Sequence, residues 1–119
     1  AKLAKPSQPV VALTGDGGFL FTSQELATAV QLGINVVTVI FNDNAYGAIK
    51  EDFLRDFGQA YEVDLVNPDF VKYAESFGAV GLRSTPEQLG ETIKKALVLE
   101  RPCVIDVPVQ LKRPLVLED

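Results

Sequence analysis

Residues 14–47 constrain the fold more than any other stretch. An apolar run, Val10-Val11-Ala12-Leu13, leads into Gly15-Asp16-Gly17-Gly18. A second run, Asn35 to Phe41, is rich in β-branched residues and leads into Asn42-Asp43-Asn44. Between them an amphipathic helix is expected from about Ser23 to Leu32, with Leu26, Ala29, Val30 and Gly33 on one face. Thr22 and Glu25 have the spacing of a capping box for it, and Gly33 that of a C-cap. Strand, helix and strand make a βαβ unit, whose strands lie parallel with a right-handed crossover. Both polar clusters then fall at the carboxyl ends of their strands, on the edge where open α/β sheets bind ligands. A carboxylate from each turn suits a hard divalent cation that holds a phosphate. The glycines allow positive φ and close approach of backbone to ligand.

The rest of the chain repeats the alternation. Residues 1–8 read as a helix end and a polar turn. The first strand, Val10 to Thr14, is continuously apolar, as a central strand covered on both faces would be. Ala48 to Phe57 has helical spacing, with Ile49, Phe53, Leu54 and Phe57 on one side and Glu51, Asp52, Arg55 and Asp56 opposite. Gly58 to Pro68 is irregular. Pro68-Asp69 opens a helix through Phe77, which Gly78 stops, and Ala79 to Arg83 forms a third strand. Thr85-Pro86-Glu87-Gln88 carries a second capping signature for a helix to about Glu100, with Leu89, Ile93, Ala96 and Leu97 inward. Cys103 to Val107 is the last strand. Pro108 to Asp119 is a tail with Leu111, Leu115, Val116 and Leu117 as apolar anchors. The expected class is α/β, a parallel sheet with helices on both faces, in one partial domain over residues 1–119.

Composition removes several functions. The net charge is −5 and no basic run exceeds two residues, which speaks against nucleic-acid binding. No apolar run approaches the roughly 20 residues that span a bilayer, so no membrane partner is expected. The chain has no His, which removes imidazole acid–base chemistry and imidazole metal ligation. The single cysteine, Cys103, lies in an apolar run without a His to activate it and reads as a reduced core residue. The cytoplasm is the default compartment. The chain also contains no Met and opens on Ala-Lys-Leu-Ala-Lys, so it is read as part of something longer.

Gly-Asp-Gly followed after 24 residues by an Asn-rich turn resembles the thiamine diphosphate signature. The wider chain resembles the C-terminal cofactor-binding domain of the acetolactate synthase and 2-oxo-acid decarboxylase family. The resemblance runs through Q-E-L-A-T-A-V-Q-L-G-I-N, F-N-D-N-A-Y-G, P-D-F-V-K-Y-A-E-S-F-G-A and R-P-C-V-I-D-V-P-V. It implies thiamine diphosphate and Mg²⁺ as cofactors. Aligned on Tyr46-Gly47, it places side-chain ligands at Asp16 and Asp43 and a carbonyl ligand at Ala45, with Asn44 as the alternative to Asp43. Many members carry Asn where this chain has Asp43. Gly15, Gly17, Gly18, Tyr46 and Gly47 would receive the diphosphate, and Asn42 would fix the turn and could touch it.

The resemblance further implies a parent enzyme that acts on a 2-oxo acid. Acetolactate synthase-like carboligation after pyruvate decarboxylation leads, and simple decarboxylation or a non-catalytic assembly module is the alternative. A homo-oligomer is expected. A phosphorylatable receiver would need an acidic pair after the first strand and a Lys after the last, and neither is present. Gly15-Asp16-Gly17-Gly18-Phe19-Leu20 lacks the third glycine of a dinucleotide fingerprint. In the family the glutamate that activates the cofactor lies in a separate N-terminal domain and reaches across a dimer interface. No residue here corresponds to it, so the 119-residue chain by itself is expected to show no 2-oxo-acid decarboxylation above background. Measurable turnover by the purified chain would contradict this.

Overall fold

The computed structural model describes residues 1–110. Strands β1 (Val11–Gly15), β2 (Val37–Asn42), β3 (Val80–Arg83) and β4 (Cys103–Pro108) form one parallel sheet in the order β1-β2-β4-β3. The helices are α1 (Asp16–Leu20), α2 (Glu25–Gln31), α3 (Gly47–Phe57), α4 (Phe70–Ser76) and α5 (Leu89–Leu97). The proposed tail anchors Leu111, Leu115, Val116 and Leu117 lie outside the described residues.

Alternation along the two inner strands sorts the core. Val37 and Val39 of β2 face the same side as Cys103, Ile105 and Val107 of β4, where α5 lays down Leu89, Ile93, Ala96 and Leu97. Ile40 and Val104 face the other side, against Phe70 and Ala74 of α4 and Phe19, Leu20, Leu26 and Val30 of α1 and α2. Helices therefore cover both faces, as the class requires. Cys103 is fully buried, and burial pushes its thiol up to about 11. It is a core residue and not a nucleophile.

Several local expectations change. The strand at residues 10–14 is an edge strand and not a central one. Its residues Val11 and Leu13, which pair with Val37 and Val39 and so share the α5 side, are 38% and 66% exposed. A continuous apolar run carries no information about which faces find a cover within the same chain. Both capping boxes are also absent. The N-caps of α2 and α5 are Gln24 and Gln88, each in αR geometry without a side-chain cap bond. The cap that does form is Asp69, whose carboxylate accepts from the Val71 and Lys72 N–H groups at 3.1 and 3.2 Å. Helix α3 has the expected spacing but buries none of its residues; Ile49, Leu54 and Phe57 are exposed.

Gly33, Gly58 and Gly78 end helices with positive φ, which only glycine adopts without strain. At Gly81 the requirement is space. A Cβ there would lie 2.8 Å from Val71 Cα and 2.9 Å from its carbonyl carbon, so α4 presses directly on β3. Gly81→Ala is expected to destabilise the fold by about 1–3 kcal/mol, the usual cost of overpacking. Denaturant unfolding measures this, and an unchanged midpoint would contradict the contact.

Candidate functional site

The sheet brings the two turns together. In-register pairing of Gly15 with Phe41 sets the end of β1 beside the end of β2. Asp16 follows directly as the first residue of α1, and Asp43 follows β2. A pocket of about 300 Å³ opens between them. Its wall includes Gly15, Asp16, Gly17, Gly18, Asp43, Ala45, Tyr46 and Gly47. Eight of the nine residues singled out from the sequence thus share one pocket. The ninth, Asn42, is turned elsewhere and is described below. Asn44, the alternative to Asp43, is exposed at φ 56° and does not line the pocket.

The glycines work differently from the expectation. Gly15, Gly17 and Gly18 all lack positive φ. Gly15 has extended backbone (φ −82°, ψ 166°) with open space where a side chain would point. Gly17 is buried under Tyr46; an added Cβ would fall 2.5 and 2.8 Å from atoms of that ring. Close approach, not a special dihedral, is what Gly17 needs. The stretch after β1 is also helical at once, with α1 inserted ahead of α2.

Helix α3 aims its first turn at the same pocket, which Gly47, Ala48 and Ile49 line. Its N-cap is Tyr46, without a side-chain cap bond. First-turn N–H groups without a side-chain acceptor, at the positive end of an 11-residue helix, favour an anion. The pocket therefore joins two carboxylates to an electropositive helix end.

Asp16 is 2% exposed. Its Oδ1 accepts from the Gly17 N–H at 2.8 Å, and its Oδ2 accepts from the Asn67 side-chain amide. Asp43 is held above the ordinary carboxylate range, first by burial and then by the negative charge of Asp16; the Asp43 and Ala45 N–H groups and Lys50 oppose this. Lys50 is itself paired with Asp64 at 2.6 Å. The site is thus short of positive charge.

Three residues were missed by the sequence reading. Asn42 Nδ2 donates to Asp106 Oδ1 at 3.1 Å, and Asn67 Nδ2 donates to Asn42 Oδ1 at 3.0 Å. Arg83 donates to Asp106 Oδ2 through Nε at 3.2 Å and Nη2 at 3.0 Å. Asp106 in an otherwise apolar strand was the available signal, because a buried carboxylate needs partners. Nothing in the sequence marked Asn67 or Arg83 as those partners.

A parallel α/β sheet with a helix N-terminus at its carboxyl edge is the arrangement in which α/β domains bind phosphate-bearing ligands. Residues 1–107 match the family described as thiamine pyrophosphate enzyme, C-terminal TPP binding domain, and the chain belongs to that family. It is 46% identical over 110 residues to the acetolactate synthase of Bacillus subtilis, covering 92% of this chain and 19% of that protein. It is 41% identical over 112 residues to a probable acetolactate synthase large subunit of Methanocaldococcus jannaschii, again 92% of this chain and 19% of the relative. Among solved structures it resembles a thiamine diphosphate-dependent 4-hydroxybenzoylformate decarboxylase of Rhodococcus jostii. The TM-score is 0.85 and the identity 32%, over 96% of this chain and 22% of that one. The benzoylformate decarboxylase of Polynucleobacter necessarius gives a TM-score of 0.81 at 31% identity, over 93% of this chain and 22% of that one. The chain thus spans about a fifth of the length of these relatives. Among the described residues no helix is long and apolar enough to cross a membrane.

The raised pKa of Asp43 fixes a sign. Its folded-state pKa lies above the unfolded value, so the ionised group destabilises the metal-free fold at neutral pH. That penalty is removed as pH falls through the raised pKa. Asp43→Asn should therefore raise the metal-free thermal midpoint at pH 7, by less than the roughly 4 °C that 1 kcal/mol gives a domain of this size. The gain should shrink toward pH 4. A lowered midpoint at pH 7 would contradict the repulsion between Asp43 and Asp16.

Proposed function

We propose that the pocket between the two turns binds Mg²⁺ and the diphosphate of thiamine diphosphate, and that the chain is the cofactor-binding part of an acetolactate synthase-like enzyme. The observation that carries the reading is the meeting of Asp16, Asp43, Ala45 and the first turn of α3 in one pocket. Among the described residues no group of three His, Cys, Asp or Glu side chains could by itself hold a metal ion. A metal here would complete its shell with a backbone carbonyl, cofactor oxygens and water. Mg²⁺ is commonly held in that way, by one or two carboxylates together with phosphate oxygens.

The residues take separate tasks. Asp16 and Asp43 hold the cation by their carboxylates and Ala45 by its carbonyl. Gly15, Gly17 and Gly18 keep side chains out of the diphosphate's path, and Tyr46 covers Gly17. Gly47 and the residues after it offer N–H groups to the anion. Asn42 orients the turn from below. Bound thiamine diphosphate supplies the carbanion-stabilising chemistry, while the protein binds and orients it.

The parent would act on a 2-oxo acid. Carboligation after pyruvate decarboxylation is favoured, because the sequence relatives that share more identity are acetolactate synthases. Simple decarboxylation is the second reading, favoured by the solved structures with the same fold. Residues 1–119 are taken as one partial domain, which works with further domains and in a homo-oligomer. The uncovered apolar residues of β1 and α3 support that assembly.

Calorimetry of the protein with thiamine diphosphate, with and without Mg²⁺, tests the cofactor site. Binding should require the metal, and Asp16→Ala should weaken it by roughly 100-fold, about 2.7 kcal/mol. Binding that ignores Mg²⁺ or survives Asp16→Ala unchanged would refute the proposed site.

A further inference from the structure

The hydrogen bonds around Asp16 single out a residue outside the wall of the pocket described above. Asn67 lies in the segment before α4, 51 residues from Asp16 and 25 from Asn42. Its side-chain amide reaches both. Nδ2 donates to Asp16 Oδ2 and to Asn42 Oδ1, the latter at 3.0 Å. Both acceptors are oxygens, so the amide can face them only with its NH₂ end. Its Oδ1 is correspondingly turned away, buried and without a partner among the described residues. A native structure rarely leaves a buried acceptor in that state, and the position is occupied for what its donor end does.

That donor end acts on both turns at once. With Gly17 N–H on Oδ1 and Asn67 on Oδ2, both oxygens of Asp16 are held and the carboxylate plane is fixed. Each oxygen retains a lone pair for the pocket that it shares with Asp43. Asn42 immediately precedes Asp43, and its side-chain Oδ1 accepts from the same NH₂ while its own NH₂ donates to Asp106. Resting on the Mg²⁺–diphosphate reading above, we infer that Asn67 is a positioning residue that ties the Asp16 turn to the Asp43 turn and sets their spacing for the cation. It contacts neither metal nor cofactor. Partners of this kind, hydrogen-bonded to a metal-ligating carboxylate, typically change metal affinity 10- to 100-fold when removed.

The test uses the full-length protein and its Asn67→Ala, Asn67→Leu, Asp16→Ala and doubly substituted forms. Leu matches the shape of Asn without its donor, so it serves where Ala impairs folding. Mg²⁺ affinity is titrated at saturating thiamine diphosphate, and the thermal midpoint of the metal-free protein is recorded beside it. Asn67→Ala or Asn67→Leu should weaken Mg²⁺ roughly 10- to 100-fold. Either should weaken it little further in the Asp16→Ala background, because the amide acts through that carboxylate. An unchanged Mg²⁺ affinity, or a loss of equal size with and without Asp16, would overturn the inference even if the metal-free midpoint falls. If the wild-type protein binds no thiamine diphosphate with Mg²⁺, the underlying reading fails and the inference with it.

Discussion

A carboxylate removed from water must be paired, and the pairing of Asp106 organises the edge of the sheet where the site lies. Asp106 is 2% exposed near the end of β4, on the α4 side of the sheet. One of its oxygens accepts from Asn42 of β2, the other from Arg83 of β3. Through Asn42 and Asn67 the same network reaches Asp16 at the end of β1. Arg83 also touches Asp69, the cap of α4, at 3.4 Å. All four strand ends are thereby linked by polar contacts. Leaving a buried charge without its partner costs several kcal/mol, so the network holds its members in one arrangement. The apolar core decides that the strands pack; the network decides where the strand ends stand relative to one another.

The apolar surfaces divide in the same way between inside and outside. Strands β2 and β4 are covered on both faces; Cys103 to Val107 of β4 are all buried, as are Val37, Val39 and Ile40 of β2. On strand β1, Val11, Ala12 and Leu13 are all exposed, and Leu13 forgoes much of the roughly 1.5–3 kcal/mol that full burial of such a side chain supplies. Helix α3 presents Ile49, Leu54 and Phe57 to solvent while its first turn faces the pocket. The same helix thus carries one end of the site and an uncovered apolar face. Any partner that covers that face also bears on the geometry of that first turn.

How much of this the sequence disclosed follows from the range of the forces involved. The βαβ unit and the meeting of Asp16 with Asp43 were legible because strand pattern and parallel pairing are nearly sufficient to place strand ends. The inward face of α5 was legible in the same way, from periodicity alone. The conformation of the glycine turn was not, because glycine reports permission and not the dihedral chosen. Gly17 is required by the Tyr46 ring, a contact 29 positions away in sequence. The edge position of β1 was hidden because Val10 to Leu13 reads the same whether or not a second cover exists in the chain. Asn67 was hidden because a lone Asn before Pro looks like any turn residue; only the fold places it between Asp16 and Asn42.

The central claim is that one cation sits between the Asp16 turn and the Asp43 turn with the diphosphate on α3. Mn²⁺ has the charge and oxygen preference of Mg²⁺ and scatters X-rays anomalously. A crystal of the protein grown with Mn²⁺ and thiamine diphosphate should therefore be measured for its anomalous difference density. The account predicts one strong peak within ligand distance, about 2.1 Å, of Asp16, Asp43 and the Ala45 carbonyl, with diphosphate density running to the Gly47 N–H. A peak elsewhere, or cofactor density away from this pocket, would contradict it.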